Sequence, residues 1–404
     1  MFDLLPTELW EYSLTDISRA LSAAVDWKKP RDSIDIPALG SCIPARSARA
    51  ALVDAIKAFE LPAGARVGVP LYCCPVVSKS IVAAGCRPVF VDIDPLSFCI
   101  SIGDLNRKNS LIDAVIAVHM FGNLCDMPGL QAVMQGKPVI EDCAQAIGCK
   151  LDGKMAGSFG DVGVFSFRSG KCLSVGEGGA LFTVRPYLRS KIAALVSEAP
   201  TPSLKDECVH IVKTILRTML RSSPLYGLIG SSLWRIYNRT TEFSSKIPLI
   251  MSQIYRADLA NIKDRLTYID SVISKNRMNA DYYSSKLKLN PGMLISENPG
   301  QFSNRYHYPI TFSSQQQRDF VASYLRKRGV DTSKPLDEIV DVASRYFGYS
   351  NDCPVSEDLS KRVLVIPNHH KIERSELDHI ARCVNSAWAE ITDARRRAVA
   401  TSND

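Results

Sequence analysis

The chain has 404 residues, of which 46% are hydrophobic and 23% charged, and its formal net charge is +7. This length and composition predict a soluble protein with a large core divided between two lobes. Lysine and arginine are dispersed, so no nucleic-acid-binding surface is indicated. Twelve cysteines without a Cys-x-x-Cys pair argue against a disulfide framework and a zinc site, and they favour a cytoplasmic protein without a metal ion. No uncharged run reaches the roughly 20 residues that a membrane-spanning helix needs.

The first half of the chain alternates between helical and strand-like segments. Residues 1–40 form an amino-terminal arm with one short helix near Leu14 to Ala24, and we assign no chemistry to it. A helix is predicted from Ser47 to Phe59, where apolar residues recur at helical spacing. Strands are then predicted at 66–72, 88–94 and 114–121, separated by helical stretches. This alternation is typical of a mainly parallel sheet covered by helices, and we assign residues 41–286 to one large domain.

Three short apolar runs between residues 138 and 184 carry polar residues at or near their ends. The first run ends in Glu141 and Asp142, the second carries Ser166, and Lys171 follows Ser166 by five residues. Open α/β sheets bind ligands at the carboxyl ends of their strands. A glycine cluster at residues 176–179 leads into the third run. These features predict a ligand site at one edge of the sheet.

The combination of an acid, a hydroxyl and a lysine suits pyridoxal phosphate. This cofactor needs a lysine amine that holds its aldehyde as a Schiff base, a carboxylate that keeps its ring nitrogen protonated, and donors for its phosphate. We assign these roles to Lys171, Asp142 and Ser166. Taken singly, the three residues have ordinary interpretations, namely a surface lysine, a helix cap and a turn residue. A nucleotide-binding P-loop at residues 169–172 is excluded, because Phe165 and Cys172 occupy positions that must be glycine and serine or threonine.

The same stretch resembles the DegT-type sugar aminotransferases of the fold type I (aspartate-aminotransferase) superfamily. Their pattern is approximately Glu-Asp-x-Ala-Gln-x-x-Gly, then Gly-x-x-Gly-Asp-x-x-x-Phe-Ser-Phe-x-x-x-Lys, then Gly-Glu-Gly-Gly. The matching residues here are Glu141, Asp142, Ala144, Gln145, Gly148, Gly157, Gly160, Asp161, Phe165, Ser166, Phe167, Lys171, Gly176, Glu177, Gly178 and Gly179. The resemblance implies an α/β fold with a large lobe around a mainly parallel sheet, a smaller carboxyl-terminal α+β lobe, and a homodimer.

The resemblance also implies further cofactor contacts. The backbone amides of Ala48 and Arg49 would hold the cofactor phosphate at a helix start. Gln145 would lie near the ring. Cys74 occupies the position where many relatives stack an aromatic residue on the ring, and Tyr72 precedes it by two residues. His119, in a segment that also matches the family, is expected to be structural.

Residues 200–247 are predicted to be an insertion. A capping box at Ser203 and Asp206 predicts a helix start, and Lys213, Arg217 and Arg221 line one helical face. Such a basic amphipathic segment, residues 205–239, is interpreted as a lid, a dimer-packing arm or a peripheral contact with an anionic membrane. Packing is the favoured interpretation.

The last part of the chain is predicted to form the smaller lobe. A long helix from about Ser252 to Lys286 bridges the lobes, and residues 287–404 form the small domain, with strands at 308–312 and 363–366. The family usually shows Asn-x-Arg just before Met251, and this chain has Pro248, Leu249 and Ile250 there. The usual contacts on the sugar side are therefore missing from this segment.

The resulting hypothesis is an aminotransferase that moves an amino group, with glutamate as donor, to a keto-sugar that is nucleotide-activated. A sugar dehydratase of the same fold is an alternative, although those relatives replace the lysine with histidine. A non-sugar ketone substrate and a non-catalytic regulatory protein are further alternatives. Retention of Asp142, Ser166 and Lys171 together argues against the last of these.

Overall fold

The computed structural model describes residues 4–26, 30–222, 225–230 and 249–402. Its centre is an eight-stranded sheet, accompanied by a three-stranded and a two-stranded sheet. In chain order the strands are β1 (Ile34–Ile36), β2 (Gly40–Ala45), β3 (Arg66–Pro70), β4 (Arg87–Val91), β5 (Ala114–Val118), β6 (Val139–Asp142), β7 (Lys150–Leu151), β8 (Lys154–Met155), β9 (Val162–Ser166), β10 (Gly179–Phe182), β11 (Gln301–Phe302), β12 (Tyr308–Thr311) and β13 (Val363–Ile366).

The strand order in the large sheet is β1-β2-β10-β9-β6-β5-β3-β4. The five strands from β9 to β4 run parallel to one another, whereas β10 pairs antiparallel with β9, and β2 and β1 continue the sheet with antiparallel pairing. Every residue of β5 and of β9 is buried. Parallel strands need cover on both faces, so this burial pattern fits the apolar runs in the sequence. The predicted α/β fold with a mainly parallel sheet is confirmed.

Two groups of helices cover the sheet. Successive strand residues point to opposite faces, so Val162 and Val164 of β9 belong to one core and Phe165 and Phe167 to the other. The helices of the described chain are Leu14–Val25, Ala48–Ala58, Pro75–Ala83, Ile102–Lys108, Met127–Met134, Pro186–Glu198, Leu204–Arg221, Arg256–Leu266, Ile269–Lys286, Gln315–Arg326, Ile339–Phe347, Pro354–Arg362 and Arg374–Ser402.

The predicted long helix over residues 252–286 is wrong in one respect, because the structure has two helices there. Arg256–Leu266 ends at Thr267, whose hydroxyl donates to the Asp264 carbonyl at 2.6 Å, and Tyr268 has non-helical dihedral angles (φ −124°, ψ 19°) before Ile269–Lys286 begins. A hydroxyl that bonds the backbone in this way competes with helix continuation. The second helix does bridge two cores, since Ile273 packs in the large one and Tyr283 in the small one.

The smaller core lies around β12 and β13, which pair antiparallel. Helix Gln315–Arg326 packs on β13, and helix Arg374–Ser402 packs on Gln315–Arg326 and contributes to the same core. Residues of helix Ile339–Phe347 and of β13 also join the core of the large sheet, so the two parts share apolar contacts. The domain boundary at residue 287 stays a prediction.

The amino-terminal arm crosses between the two parts. The Leu5 amide donates to the Gly329 carbonyl at 2.8 Å, and the Leu5 carbonyl accepts from the Asp331 amide at 2.9 Å. Farther along, the Glu11 carboxylate lies 2.9 Å from the Arg265 guanidinium and 3.1 Å from the Lys371 ammonium. The arm therefore joins the small core to the helices of the large one.

The inserted helix Leu204–Arg221 begins with the capping box predicted at Ser203 and Asp206. Its inner face packs on helix Leu14–Val25, where Ile211 is buried. Its outer face exposes a stripe of large apolar residues, namely Val209, Val212, Leu216, Met219 and Leu220. Residues 231–248, which hold most of the remaining insertion and Pro248, lie outside the described residues. Among the described helices, none has the length and apolarity to cross a membrane.

Candidate active site

The carboxyl ends of two neighbouring parallel strands bring Asp142 and Ser166 to the same edge of the sheet. Asp142 ends β6 opposite Val164, and Ser166 ends β9. Both side chains are buried, and the Asp142 carboxylate accepts a hydrogen bond from the Ala144 amide at 2.9 Å. Burial raises the pKa of Asp142, an effect that the Ala144 amide, Lys171 and His119 oppose.

Lys171 lies in a tight loop that is tied to the glycine cluster. The Lys171 amide donates to the Arg168 carbonyl at 3.1 Å, and the Ser169 amide donates to the Gly176 carbonyl at 2.9 Å. Gly170 has φ +86°, which disfavours any residue with a side chain. Burial lowers the pKa of Lys171, and Arg168 lowers it further, while Cys74, Asp142 and Glu8 act in the opposite direction. A lowered pKa increases the neutral fraction of the amine, which is the form that attacks a carbonyl.

The start of helix Ala48–Ala58 lies against the Gly-Glu-Gly-Gly turn. Ser47 caps this helix, its hydroxyl accepting from the Ala50 amide at 3.3 Å. A Cβ atom on Gly179 would lie only 2.6 Å from the Ala48 nitrogen, so the close approach requires glycine. The first turn of a helix presents N–H groups that have no partner within the helix. Ala48 and Arg49 are therefore placed where an anion can bind.

Gln145 and Cys74, the other predicted cofactor contacts, lie in the loops that follow β6 and β3. The Gln145 amide oxygen accepts from the Phe121 amide at 3.0 Å, and its nitrogen lies 3.4 Å from the Met120 sulfur. Cys74 precedes helix Pro75–Ala83, is partly exposed and influences the pKa of Lys171. Tyr72, by contrast, is fully buried and donates to the Pro335 carbonyl at 3.3 Å. The hydroxyl of Tyr72 is thus engaged with the small lobe.

Glu141, the first acid of the Glu-Asp pair, has a different environment from Asp142. It is fully buried and accepts hydrogen bonds from the amides of Gly157 (2.8 Å), Phe159 (2.6 Å) and Gly160 (2.6 Å). His119 also bonds it at 3.0 Å and accepts from the Cys125 amide at 3.2 Å, as expected for a structural histidine. Together with the Cys143 thiol, these two side chains lie within 4.8 Å of one another. Glu141 thus organises the loop between β8 and β9.

Three residues near Lys171 were not identified from the sequence. Arg168 lies in the lysine loop itself. Glu8, from the arm to which we assigned no chemistry, has its carboxylate 2.5 Å from the Cβ position of Gly170. Burial lowers the pKa of His307 to about 4, and Lys171 contributes, so the imidazole is neutral near pH 7. In a strand, every second side chain points to the same face, so Arg168 could have been predicted to lie on the same face as Ser166. Glu8 and His307 are too remote in the sequence for any local signal.

The residues present fit pyridoxal phosphate. Among the described residues, the Lys171 amine has no hydrogen-bond or ion-pair partner, and the Asp142 carboxylate has only the Ala144 amide. A buried acid and a half-buried amine left without side-chain partners are suited to a ligand that bonds both. The helix start and Ser166 add donors for a phosphate group.

Comparison with known proteins agrees with this chemistry. Residues 39–232 and 234–385 match the model of the DegT/DnrJ/EryC1/StrS aminotransferase family. The UDP-N-acetyl-3-dehydro-alpha-D-glucosamine 3-aminotransferase of Acidithiobacillus ferrooxidans is 28% identical over 342 residues, which cover 83% of this chain and 80% of that protein. The GDP-perosamine synthase of Escherichia coli O157:H7 is 26% identical over 347 residues, covering 84% of each chain.

Solved structures show the same fold. DesV of S. venezuelae, in complex with a ketimine intermediate, matches with a TM-score of 0.72 and 22% identity over 93% of this chain and 95% of that chain. The apo form of Spr1654 from Streptococcus pneumoniae, described as a putative sugar aminotransferase, matches with a TM-score of 0.77 and 17% identity over 97% and 99% of the two chains. The chain therefore belongs to the DegT/DnrJ/EryC1/StrS aminotransferase family and is a pyridoxal-phosphate-dependent aminotransferase of fold type I.

Proposed function

We propose that this aminotransferase uses glutamate to aminate the carbonyl carbon of a nucleotide-activated keto-sugar, for the synthesis of an amino sugar in a surface glycan or natural product. Relatives aligned over more than four fifths of the chain carry the names of nucleotide-sugar enzymes, which supports an activated sugar as substrate. A non-sugar ketone is the second candidate, because relatives aligned over about two fifths of the chain are named L-glutamine:2-deoxy-scyllo-inosose aminotransferases.

Each of the site residues has a separate role in the proposed reaction. When bound, pyridoxal phosphate supplies the electron sink that stabilises the carbanion formed at the donor Cα. Lys171 Nζ would accept the proton from that Cα and pass it to the cofactor's aldehyde carbon. Asp142 holds a positive charge at the cofactor's ring nitrogen. Ser166 and the amides of Ala48 and Arg49 would bind the phosphate, and Gln145 and Cys74 would lie beside the ring.

The observation that carries this proposal is the juxtaposition of the half-buried Lys171 and the buried Asp142, each of which influences the pKa of the other. A dehydratase of this fold would have histidine at position 171. A regulatory protein would have no need of an acid and an amine whose charged forms are both disfavoured.

The first prediction concerns Lys171. Purified protein loaded with pyridoxal phosphate should show a cofactor absorption band that glutamate converts, whereas Lys171→Ala should bind the cofactor without turnover. Lys150→Ala, on the surface strand β7, is the matched control and should retain wild-type rates. Borohydride reduction followed by peptide mass spectrometry should attach the cofactor to Lys171. Attachment at another lysine, or a protein that stays colourless, would refute the assignment.

A panel of nucleotide keto-sugars tests the substrate class. Amination of at least one of them, detected by mass spectrometry in the presence of glutamate, is the expected result. Amination of inosose-type ketones alone would replace the proposal with the non-sugar candidate.

We further propose that the enzyme works as a cytoplasmic homodimer and that the exposed apolar stripe of helix Leu204–Arg221 packs against other protein surface. Five large apolar side chains on one exposed helical face support a contact of this kind. Sedimentation of the wild type and of Leu216→Glu separates the interpretations. Loss of the dimer supports subunit packing. An unchanged dimer that no longer binds anionic vesicles supports the membrane contact instead.

A further inference from the structure

Two side chains of the amino-terminal arm lie against the lysine loop. A Cβ atom on Gly170, the residue that precedes the site lysine, would lie 2.5 Å from the Glu8 carboxylate and 3.2 Å from the Trp10 indole nitrogen. Between these two residues, the Leu9 amide donates to the Tyr306 hydroxyl at 3.4 Å. The arm therefore carries a carboxylate to the loop that holds the reactive amine.

The inserted helix orients this part of the arm. Arg221, at the end of helix Leu204–Arg221, is buried, and its guanidinium carbon lies 4.5 Å from the centre of the Trp10 ring. The same guanidinium lies 3.8 Å from Oε2 of Glu8, which is longer than a direct charge-assisted hydrogen bond. The Trp10 indole donates to this oxygen at 3.5 Å. Both contacts involve Oε2, so they orient the Glu8 carboxylate without saturating it.

Glu8 keeps acceptor capacity for a ligand. An ionised carboxylate can accept about four hydrogen bonds, and no donor in the described part of the chain bonds Oε1 of Glu8, whose side chain is 30% exposed. The Lys171 amine and the His307 imidazole likewise have no hydrogen-bond partner among the described residues. Burial lowers the pKa of both these groups, and the Glu8 carboxylate opposes both shifts, as expected for three groups that lie close together. The amine therefore has a neighbouring acceptor that is negatively charged.

We propose that Glu8 is a specificity residue, which accepts a hydrogen bond from a hydroxyl group on the ring of the keto-sugar. A hydroxyl donor and a carboxylate acceptor form a short, charge-assisted hydrogen bond. The same carboxylate repels the side-chain carboxylate of glutamate, so it favours the hydroxyl-bearing substrate over the dicarboxylate. This inference rests on the proposed function, in which the two substrates enter one site in turn.

The test measures binding of unreactive ligands to the cofactor-loaded full chain by calorimetric titration. Glutarate represents the dicarboxylate. UDP-glucose, GDP-glucose and dTDP-glucose represent the activated sugar, and each is compared with its free nucleoside diphosphate to isolate the contribution of the ring. The variants are Glu8→Gln, which removes the charge, and Glu8→Asp, which keeps it on a shorter side chain. Glu198→Gln is the control, because Glu198 is an exposed acid at the end of helix Pro186–Glu198.

We expect Glu8→Gln to weaken binding of the preferred nucleotide sugar roughly ten- to hundredfold, the range for a hydrogen bond to a charged group, while the free diphosphate keeps its affinity. Glutarate should bind this variant roughly two- to tenfold more tightly, because a negative charge has left the site. Glu8→Asp retains the charge, so glutarate should bind it as weakly as it binds the wild type. Opposite changes for the two kinds of ligand indicate a specificity residue, since a purely structural role would weaken both.

The role of Glu8 is overturned if Glu8→Gln binds the nucleotide sugar within twofold of the wild type, or if the sugar and glutarate weaken together. An equal loss for the free diphosphate would also overturn it, because the contact would then not lie on the sugar ring. A wild-type protein that binds glutarate but none of the nucleotide sugars would instead contradict the proposed function. The two failures are therefore distinguishable.

Discussion

Asp142 and Lys171 experience the same environment with opposite consequences for their protons. Burial raises the pKa of the acid and lowers that of the amine, so both side chains shift toward their neutral forms before a ligand arrives. A ligand with a positive ring nitrogen would favour the ionised acid. A ligand with an aldehyde would react with the neutral amine. The neutral amine is therefore ready before the ligand arrives, whereas the acid reaches its working, ionised form only opposite a positive ring nitrogen.

The raised pKa of Asp142 predicts how stability depends on pH. Because the folded state binds this proton more tightly than the unfolded state, ionisation of Asp142 destabilises the fold as pH rises above the ordinary carboxyl range. Asp142→Asn apoprotein should therefore be at least as stable as the wild type at pH 7.5 in urea denaturation. The difference in the free energy of unfolding between the variant and the wild type should shrink as the pH approaches 4.

The same substitution should slow the loaded enzyme. Asparagine cannot supply the negative charge that a ring nitrogen needs, and loss of one preorganised electrostatic contact lowers kcat by roughly a hundredfold or more. Steady-state rates at saturating glutamate measure this. A variant with wild-type kcat would show that Asp142 is not the ring partner.

At the scale of elements, the Gly-Glu-Gly-Gly turn is held by an ion pair between a buried guanidinium and a half-buried carboxylate. Arg46 is 4% exposed, pairs with Glu177 and stacks 4.2 Å from the centre of the Tyr255 ring. On that ring His210 stacks as well, and its imidazole bonds Asp258 at 2.9 Å. The inserted helix thus braces the turn from outside the site.

Glu177→Gln should destabilise the protein by about 3 kcal/mol, because it leaves Arg46 buried without its partner charge. Adding Arg46→Met should restore part of that loss. Glu60→Gln removes an exposed pair with Lys191 and should cost less than about 1 kcal/mol. Chemical denaturation provides all three values. Equal effects of Glu177→Gln and Glu60→Gln would argue against a bracing role.

Gly179→Ala should weaken cofactor binding, since the added methyl group would push the Ala48 nitrogen away from its present position. Gly292→Ala is the matched control, because a Cβ there meets no atom within 4 Å. Titration of the two apoproteins with pyridoxal phosphate compares them. Similar dissociation constants would show that the helix start does not contribute.

The elements that the sequence predicts well are those with local signals. The buried strands β5 and β9 and the capping box at Ser203 were all predicted correctly from pattern. The break at Tyr268 was missed, because apolar spacing continues across it while the backbone departs from helical angles. Asp142, Ser166 and Lys171 share one stretch of 30 residues and could be proposed together. Glu8 and His307 approach them only through the fold.

At the scale of the whole molecule, the amino-terminal arm joins the two cores and lies beside the site. Glu11 attaches the arm through ion pairs with Arg265 and Lys371. Burial alone would raise the pKa of Glu11, but contacts with His370, Arg265 and Lys371 outweigh burial and hold that pKa well below its usual range. A depressed carboxyl pKa contributes stability above the unfolded value of 4.5, and this contribution is lost as pH falls.

Glu11→Gln should therefore lower the melting temperature at pH 7, and the difference from the wild type should narrow below about pH 4.5. Scanning calorimetry at several pH values tests this. If the melting temperatures of the variant and the wild type differ by the same amount at every pH, Glu11 contributes through packing rather than through its charge.

The four hydrogen bonds that converge on Glu141 have a practical consequence for mutagenesis. An alanine scan scored only by product formation would report position 141 as essential and, given its neighbour, tempt the experimenter to call it a reactive group. The defect would arise from collapse of the 157–160 loop, where three amides would lose their shared acceptor. A proteolysis profile taken alongside the assay would distinguish a misfolded loop from the loss of a catalytic group.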